Sequence, residues 1–513
     1  MTSNGKKFIV KLRFNVKPTF YTAWFNVKLS NHKELRGIYM KKSITKLVSM
    51  ILVLSMIFLV GCTPDKTEVT NTETPANTEP EKVTIKLGIW PEDTLTDDIK
   101  MHEGYVQTLN AKYPNIEVVP AYYKYATDTF VSLAESGNLP TVFETWFTEP
   151  QKLIEGGFVK DITAELKELG WDSAMNPTIK DLLSKDGKIY GIPRDGYALG
   201  LMVNVELFEQ AGLVDANGLP QYPKTWEELA QTAKVIKDKT GSDGLCILAK
   251  DNAGGWHYSN IAWAFGANME VLKDGKWIAQ LNSPENIAAM NYVKDLKWKY
   301  DVLTADPTNE DWGTGFKQLG TGAAAMYIGA NDAVNQPTQV NGLNVKKLAL
   351  VPLPAGPGGQ YSLMGGTPYM FSAKATHEEV MAGLRYLEVM GRAPVVTEAS
   401  LAGLDADGQN RVKAGIPVIP AFPAWIAPDY LKARDEVVEK YRNVDMALYN
   451  DYYNILKVQN NLRLEEPKLT QDMYAELTKV LQAVITDKKA DVNKLLDTAN
   501  TNLQQLLDSQ VNK

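Results

Sequence analysis

From Val83 the chain alternates apolar and polar residues as Val83-Thr-Ile-Lys-Leu-Gly-Ile89, then stops at Trp90-Pro91. A period of two over this length predicts a strand. Asp97 to Tyr113 reads as a helix ended by Pro114, and Ile116-Glu-Val-Val119 as a second strand. Thr127 to Ser136 reads as a helix stopped by Gly137-Asn138, and Thr141-Val-Phe143 as a short third strand. This βαβαβ rhythm predicts a parallel, doubly wound sheet. Further on, Thr225-Trp-Glu-Glu228 has the form of a capping box, with Leu229, Ala233 and Ile236 on one face and Gly241 as the stop. Ser283-Pro284 opens another helix with Ile287, Met290, Val293 and Leu296 inward. Ala325–Ile328 and Leu348–Val351 read as strands, and from about Glu378 onward the pattern is mostly helical. No internal repeat is visible.

The first 82 residues follow none of these periods. Lys41, Lys42 and Lys46 precede an apolar run from Leu47 to Val60 broken only by Ser49 and Ser55. Fourteen residues are short of the roughly 20 that a membrane span needs, and they match the apolar region of a signal peptide. The run ends in Leu59-Val-Gly-Cys62, which resembles the lipobox of bacterial lipoproteins. That resemblance implies cleavage before Cys62 and a diacylglycerol thioether on it. Residues 63–82 hold six Thr, four Glu and three Pro with one aliphatic residue, Val69. Such a segment buries too little apolar surface to order itself and reads as a tether spanning about 25 Å as a coil. The expected division is therefore a non-native extension at 1–39, a lipoprotein signal peptide at 40–61 and a tether at 62–82.

Charge sharpens the picture. Residues 1–61 contain 11 Lys and Arg against one acid, Glu34, so the remaining 452 residues carry a net charge of −17. A body this acidic repels phosphates, which argues against nucleic acid and anionic lipid as partners. The length suggests two to four domains, and 44% hydrophobic with 22% charged residues is the composition of an ordinary folded protein. Two Cys and four His leave little material for disulfides or a histidine metal centre.

Catalytic signatures are missing. The chain contains no His-Glu-x-x-His, Gly-x-Ser-x-Gly or Walker loop. Gly320-Thr-Gly322-Ala-Ala-Ala325 loosely matches a dinucleotide fingerprint but precedes a strand, so no helix dipole would face a pyrophosphate; it reads as a turn. Cys246, alone in an apolar strand, reads as a buried spectator. Glu144, Glu149 and Asp195 are abundant acids with no spacing that marks a glycosidase pair.

Aromatic and polar residues do gather at strand ends. Trp90 follows the first strand, Glu144-Thr-Trp146 the third, Arg194-Asp-Gly-Tyr197 a Gly-Ile-Pro segment, and Trp256-His257 the strand around Cys246. In open α/β sheets ligands sit beyond the carboxyl ends of strands. Aromatic faces stack on sugar rings while carboxylates, amides and guanidinium groups bond hydroxyls. Trp226, Trp263, Trp277 and Trp298 lie within regular elements and read as packing; Trp312 and Trp425 stand between the two groups.

Five segments in order then resemble the bacterial extracellular solute-binding proteins of carbohydrate ABC importers, the maltose-binding-like group. They are the lipobox with its Thr/Pro tether, Gly187-Lys-Ile-Tyr-Gly-Ile-Pro193 through Leu201–Phe208, Pro223-Lys-Thr-Trp-Glu-Glu-Leu229, Phe316–Gly329, and Gly365-Gly366 opening a late strand. The resemblance covers roughly residues 83–400. It implies a two-lobed α/β fold of the periplasmic-binding-protein type, with hinge strands and a helical C-terminal region. Lobe one would take 83–197 plus 368–425 and lobe two 198–367 plus 426–513, with hinge crossings near Tyr197-Ala198 and Tyr369–Phe371. Family cleft positions fall on Trp90, Glu144, Trp146, Arg194, Tyr197, Trp256 and Asn331; the strand-end reading adds His257, Trp312 and Trp425. Gly329-Ala-Asn331 stands where many members carry an aromatic residue, which leaves the sugar open.

The function implied is capture of a sugar or oligosaccharide by lobe closure and its delivery to the subunits of an ABC permease. The expected protein is a monomer, anchored by lipid on Cys62 to the extracytoplasmic face of the cell membrane, without a cofactor, a metal or an enzymatic activity. The competing readings are a secreted carbohydrate-active enzyme, or the same fold holding a metal ion, a polyamine or a peptide. Arg194, Lys124 and His257 leave an acidic sugar open as well.

Overall fold

The computed structural model describes residues 81–127, 129–458 and 461–513. Cys62, the apolar run before it, the upstream extension and all but the last two tether residues lie outside the described residues. Among those described, no helix is long and apolar enough to cross a membrane.

β1 (Val83–Leu87), α1 (Thr96–Lys112), β2 (Ile116–Pro120), α2 (Phe130–Ser136) and β3 (Val142–Glu144) alternate in chain order. β1 is parallel to both β2 and β3. A short helix, α3 (Pro150–Glu155), precedes the 14-residue strand β4 (Gly191–Asn204). Next come α4 (Trp226–Thr240), β5 (Asp243–Cys246), α5 (Ala253–Phe265), α6 (Pro284–Trp298), α7 (Trp312–Gly320), β6 (Ala324–Ala330) and β7 (Leu348–Val351). β8 (Ser362–Phe371) leads to α8 (His377–Val389), α9 (Glu398–Ala414) and α10 (Pro428–Tyr441). β9 (Leu462–Arg463), α11 (Thr470–Thr486) and α12 (Val492–Gln510) complete the chain.

The sheet order is β2-β1-β3-β8-β4-β6-β5, with β7 on β4 and β9 on β8. The parallel arrangement expected from the βαβαβ start is present there, and the sheet as a whole is mixed. β1/β2, β1/β3 and β5/β6 are parallel, but β8 is antiparallel to β3 and β4, and β4 is antiparallel to β6. The reason is that β4 and β8 each cross the molecule. β4 pairs with β8 through Gly191–Ala198 and with β6 and β7 through Leu199–Asn204. The fold is α/β in two lobes, and these two strands run from one into the other. The β4/β8 ladder shifts register between Thr367 and Pro368, where proline has no N–H to donate.

Local chemistry explains the elements that frame the cleft. The Thr225 hydroxyl accepts from the Glu228 N–H at 3.2 Å, and the Glu228 carboxylate accepts from the Lys224 N–H at 2.7 Å, starting α4. The helix buries Trp226, Leu229, Ala230, Ala233 and Ile236 and ends at Gly241 with φ +78°. Ser283 caps α6, whose Met290, Val293 and Leu296 are fully buried. All seven residues of β6 are buried, as a central strand covered on both faces requires. Each large aliphatic side chain removed from water in this way contributes about 1.5–3 kcal/mol.

Candidate functional site

A cavity of about 360 Å³ opens between the lobes. Trp146, just past β3, and Thr367 of β8 line it from one side; Trp256 in the first turn of α5 and Trp312 at the start of α7 line it from the other. Tyr197 of the crossing strand β4 lies between them, and Asp332, Glu465 and Tyr474 complete the wall.

Two glycines make this wall possible. A Cβ on Gly255 would stand 2.3 Å from the Tyr474 carbonyl oxygen. Its absence lets α5 lie against α11, with the Gly255 N–H donating to Thr478 Oγ1 at 2.8 Å, and so brings Trp256 and Tyr474 onto one surface. A Cβ on Gly365 would meet the Tyr197 hydroxyl at 2.3 Å; glycine there leaves room for the phenol. The tyrosine's removal from water pushes its ionisation well up, so it acts as a neutral hydroxyl and ring.

The rings meet at steep angles. Tyr197 and Trp256 lie 6.4 Å apart at 90°, and Trp256 and Trp312 lie 5.2 Å apart at 65°. Trp146, 43% exposed, packs edge-on against Tyr125 at 5.3 Å. Its free surface is the kind of platform a ligand ring covers. The Glu465 carboxylate accepts from the Tyr474 hydroxyl at 2.8 Å, and its setting away from bulk water pushes its carboxyl up to about 7. Asp332 is raised to about 6, first by partial desolvation of its carboxyl and then by the Asp195 charge, with Arg194 opposing.

Of the other residues singled out from the sequence, Arg194, Asn331 and Trp425 line an adjoining cavity of about 240 Å³ that shares Asp332 with this one, and the rest lie elsewhere. Arg194 is spent within the protein: Nη1 meets Glu144 at 2.9 Å and Nε meets Asp195 at 2.7 Å, while Asp195 also accepts from the Thr367 N–H at 3.0 Å. Burial opposes the guanidinium charge, but the two carboxylates outweigh it and hold Arg194 firmly protonated. This cluster ties β3, β4 and β8 together at the crossing. His257 is a correction: it is 3% exposed beneath Trp256, Trp312 and Tyr327, and burial lowers its pKa to about 3. Asn331 is 5% exposed, and its Oδ1 accepts from the Tyr452 hydroxyl at 3.0 Å. Trp425 is 3% exposed, donates to the Arg392 carbonyl at 3.0 Å and packs on Trp171. Trp90 is half-buried against His102 at 5.4 Å. Glu149 accepts from the Tyr125 hydroxyl at 2.6 Å. Cys246 is free and buried.

Sequence reasoning missed Asp332, Glu465 and Tyr474. The first directly follows Asn331 after the β6 strand and was within reach of the strand-end rule. Glu465 and Tyr474 arrive from a segment with no period of its own.

Residues 96–392, more than half of the chain, match the family described as bacterial extracellular solute-binding protein. The chain belongs to that family. A binding protein of Brucella abortus is 28% identical over 287 residues, 53% of this chain and 64% of that protein. The arabinooligosaccharide-binding protein of Halalkalibacterium halodurans is 22% identical over 42% of this chain and 46% of its own length. The matched part thus spans less than two thirds of these relatives. Among solved structures, a solute-binding protein of Thermotoga lettingae bound with alpha-D-tagatose has a TM-score of 0.61 at 18% identity, covering 83% of this chain and 100% of that one. A maltose-bound protein of T. maritima gives 0.58 at 20%, covering 83% and 99%. Likeness at this identity speaks to the two-lobed fold.

Proposed function

We propose that this protein captures a sugar or oligosaccharide between its lobes and delivers it to an ABC permease. The observation that carries the reading is the aromatic wall of Trp146, Tyr197, Trp256 and Trp312, contributed from both sides of one interlobe cavity. A solute touching both sides gains its full set of contacts only when the lobes are together, so it stabilises the closed form by that difference. The names of the arabinooligosaccharide-binding relative and of a lactose-binding protein from Rhizobium radiobacter point to the same solute class. Lobe one takes the β1–β3 region and lobe two the β5–β7 region. α9 and α10 pack on each other, so we place them in the same lobe and move the proposed boundary from 425 to the end of α10.

Binding without turnover is part of the proposal. The three acids first considered for catalysis are held by Arg194, Tyr125 and Thr148 rather than aimed together at the cavity. The anchor is proposed from sequence: the lipobox at Cys62 fixes the protein to the extracytoplasmic face of the membrane.

A thermal-shift screen of neutral and charged oligosaccharides, followed by calorimetric titration, tests the reading. Trp256→Ala should weaken the best sugar by about 1–3 kcal/mol, roughly five- to 150-fold. Unchanged affinity with a collapsed melting temperature would place Trp256 in the core and remove the support. Release of reducing ends from a bound oligosaccharide would replace binding with hydrolysis.

A further inference from the structure

The charge of the cleft is one-sided. Asp332 and Glu465 both line it and no Lys, Arg or His does; Asp332 also borders an adjoining cavity that Arg194 and Arg392 enter, which leaves Glu465 as the acid without a cation. The bases on neighbouring segments are committed elsewhere: Arg194 to Glu144 and Asp195, Arg463 to Glu466 at 3.4 Å, and Lys468 to Glu155 at 2.7 Å. Glu149 stands close enough to act on Glu465 as a further negative charge. The remaining wall is aromatic, and ring faces carry the negative lobe of the quadrupole. Tyr197, Trp256 and Trp312 pack edge to face at 90° and 65°, and all three line the cavity. Carboxylates and ring faces together favour a cation. Beside a neutral solute Glu465 keeps its proton up to about pH 7, whereas a cation compensates the ionised carboxylate and an acidic solute would add to the negative charge.

We infer that the solute is an amino sugar, a saccharide whose ring carries a protonated or quaternary nitrogen, with that nitrogen held by Glu465 and the faces of Tyr197 and Trp256. The inference rests on the sugar-binding reading above and narrows it. It also turns away from the acidic sugar that the sequence left open, since Arg194 is already paired and His257 is buried.

The test is calorimetric titration of the full chain with disaccharides that share one skeleton: the free-amine glucosamine disaccharide, its N-trimethyl form, its N-acetyl form and cellobiose. One of the two cationic probes should bind at least about tenfold tighter than both neutral ones, and added salt should narrow the gap. In Glu465→Gln the preference should shrink to roughly threefold or less, because a neutral amide no longer compensates the ammonium. Binding of cellobiose or the N-acetyl sugar as tightly as the cations overturns the amino-sugar inference and leaves sugar capture standing. Binding of none of the four by a protein whose melting curve shows it folded also overturns the amino-sugar inference, and the sugar reading falls only if the wider oligosaccharide screen fails as well. A preference that survives unchanged in Glu465→Gln also overturns the inference, since another group would then be reading the charge.

Discussion

Glu466 turns into the interior, where the Trp263 Nε1–H donates to it at 2.9 Å and the Arg463 guanidinium stands 3.4 Å away. Glu465, one peptide bond earlier, faces the cleft and takes its hydrogen bond from the neutral Tyr474 hydroxyl. Burial raises the pKa of both carboxyls, yet only the interior acid has a cation beside it. The Arg194 cluster at the crossing strands repeats the interior solution with Glu144 and Asp195. Charge that is closed on itself holds elements together; charge left open in a cavity is available to something that enters it.

The comparison can be broken at its interior end first. Trp263 is fully buried, and Arg463 lies 4.5 Å over its ring. Trp263→Ala should cost about 3–5 kcal/mol, from the cavity and from the donor that Glu466 loses. Urea denaturation measures it, and a loss under about 1 kcal/mol would show that Glu466 does not depend on its partners.

At the open end the effect is smaller and depends on pH. The Glu465 carboxyl titrates near 7 in the folded chain against an ordinary 4.5. The folded state therefore keeps this proton longer than the unfolded state does. The stability contributed is full below about pH 4.5 and is lost as pH climbs through about 7, up to about 3 kcal/mol and less to the degree that the group still meets solvent. Glu465→Gln should flatten that part of the profile in the unliganded protein. An unchanged slope between pH 4.5 and 7 would place the titration on another residue, such as the buried Glu270.

The smallest effect concerns a pair that reaches across the lobes. Lys468, before α11, meets Glu155 of α3 at 2.7 Å, with Glu155 43% exposed. Lys468 is 14% exposed, but Glu155 meets water and also faces Lys185 at 3.4 Å, so the pair contributes about 0–1 kcal/mol. Lys468→Met should therefore leave the denaturation midpoint nearly in place while reducing its sensitivity to salt. A shift above about 2 kcal/mol would make this contact a structural lock rather than a rim interaction.

How far the sequence carried can be judged on particular residues. The period of two placed β1, a short apolar run placed β7, the caps at Thr225 and Ser283 placed α4 and α6, and Trp226 read as core because it sat inside the α4 pattern. Local rules reach that far because they act within a few residues. The antiparallel crossing strands were hidden, since strand direction depends on where the chain returns. In the cleft, Trp146, Tyr197, Trp256 and Trp312 come together. Arg194 is chemically suited to a ligand, yet its partners Glu144 and Asp195 are set by the β3/β8/β4 pairing, which no spacing reveals. His257 follows Trp256 directly, but the helical turn of α5 rotates it about 100° away, into the interior. Glu465 and Tyr474 are some 270 residues from Tyr197 and meet it only through the packing of α5 on α11.

The direction of β1 has a mechanical consequence. β3 runs out onto the cleft wall at Trp146, and β1 is parallel to it. The start of β1 at Val83 therefore lies at the opposite end of its strand, about 16 Å back from the cleft side. A pull transmitted through Lys82 acts on one lobe alone, along the strand axis. A chain held from this point would be held by one lobe, and the other would follow only through the crossing strands, which leaves the angle between the lobes to the solute.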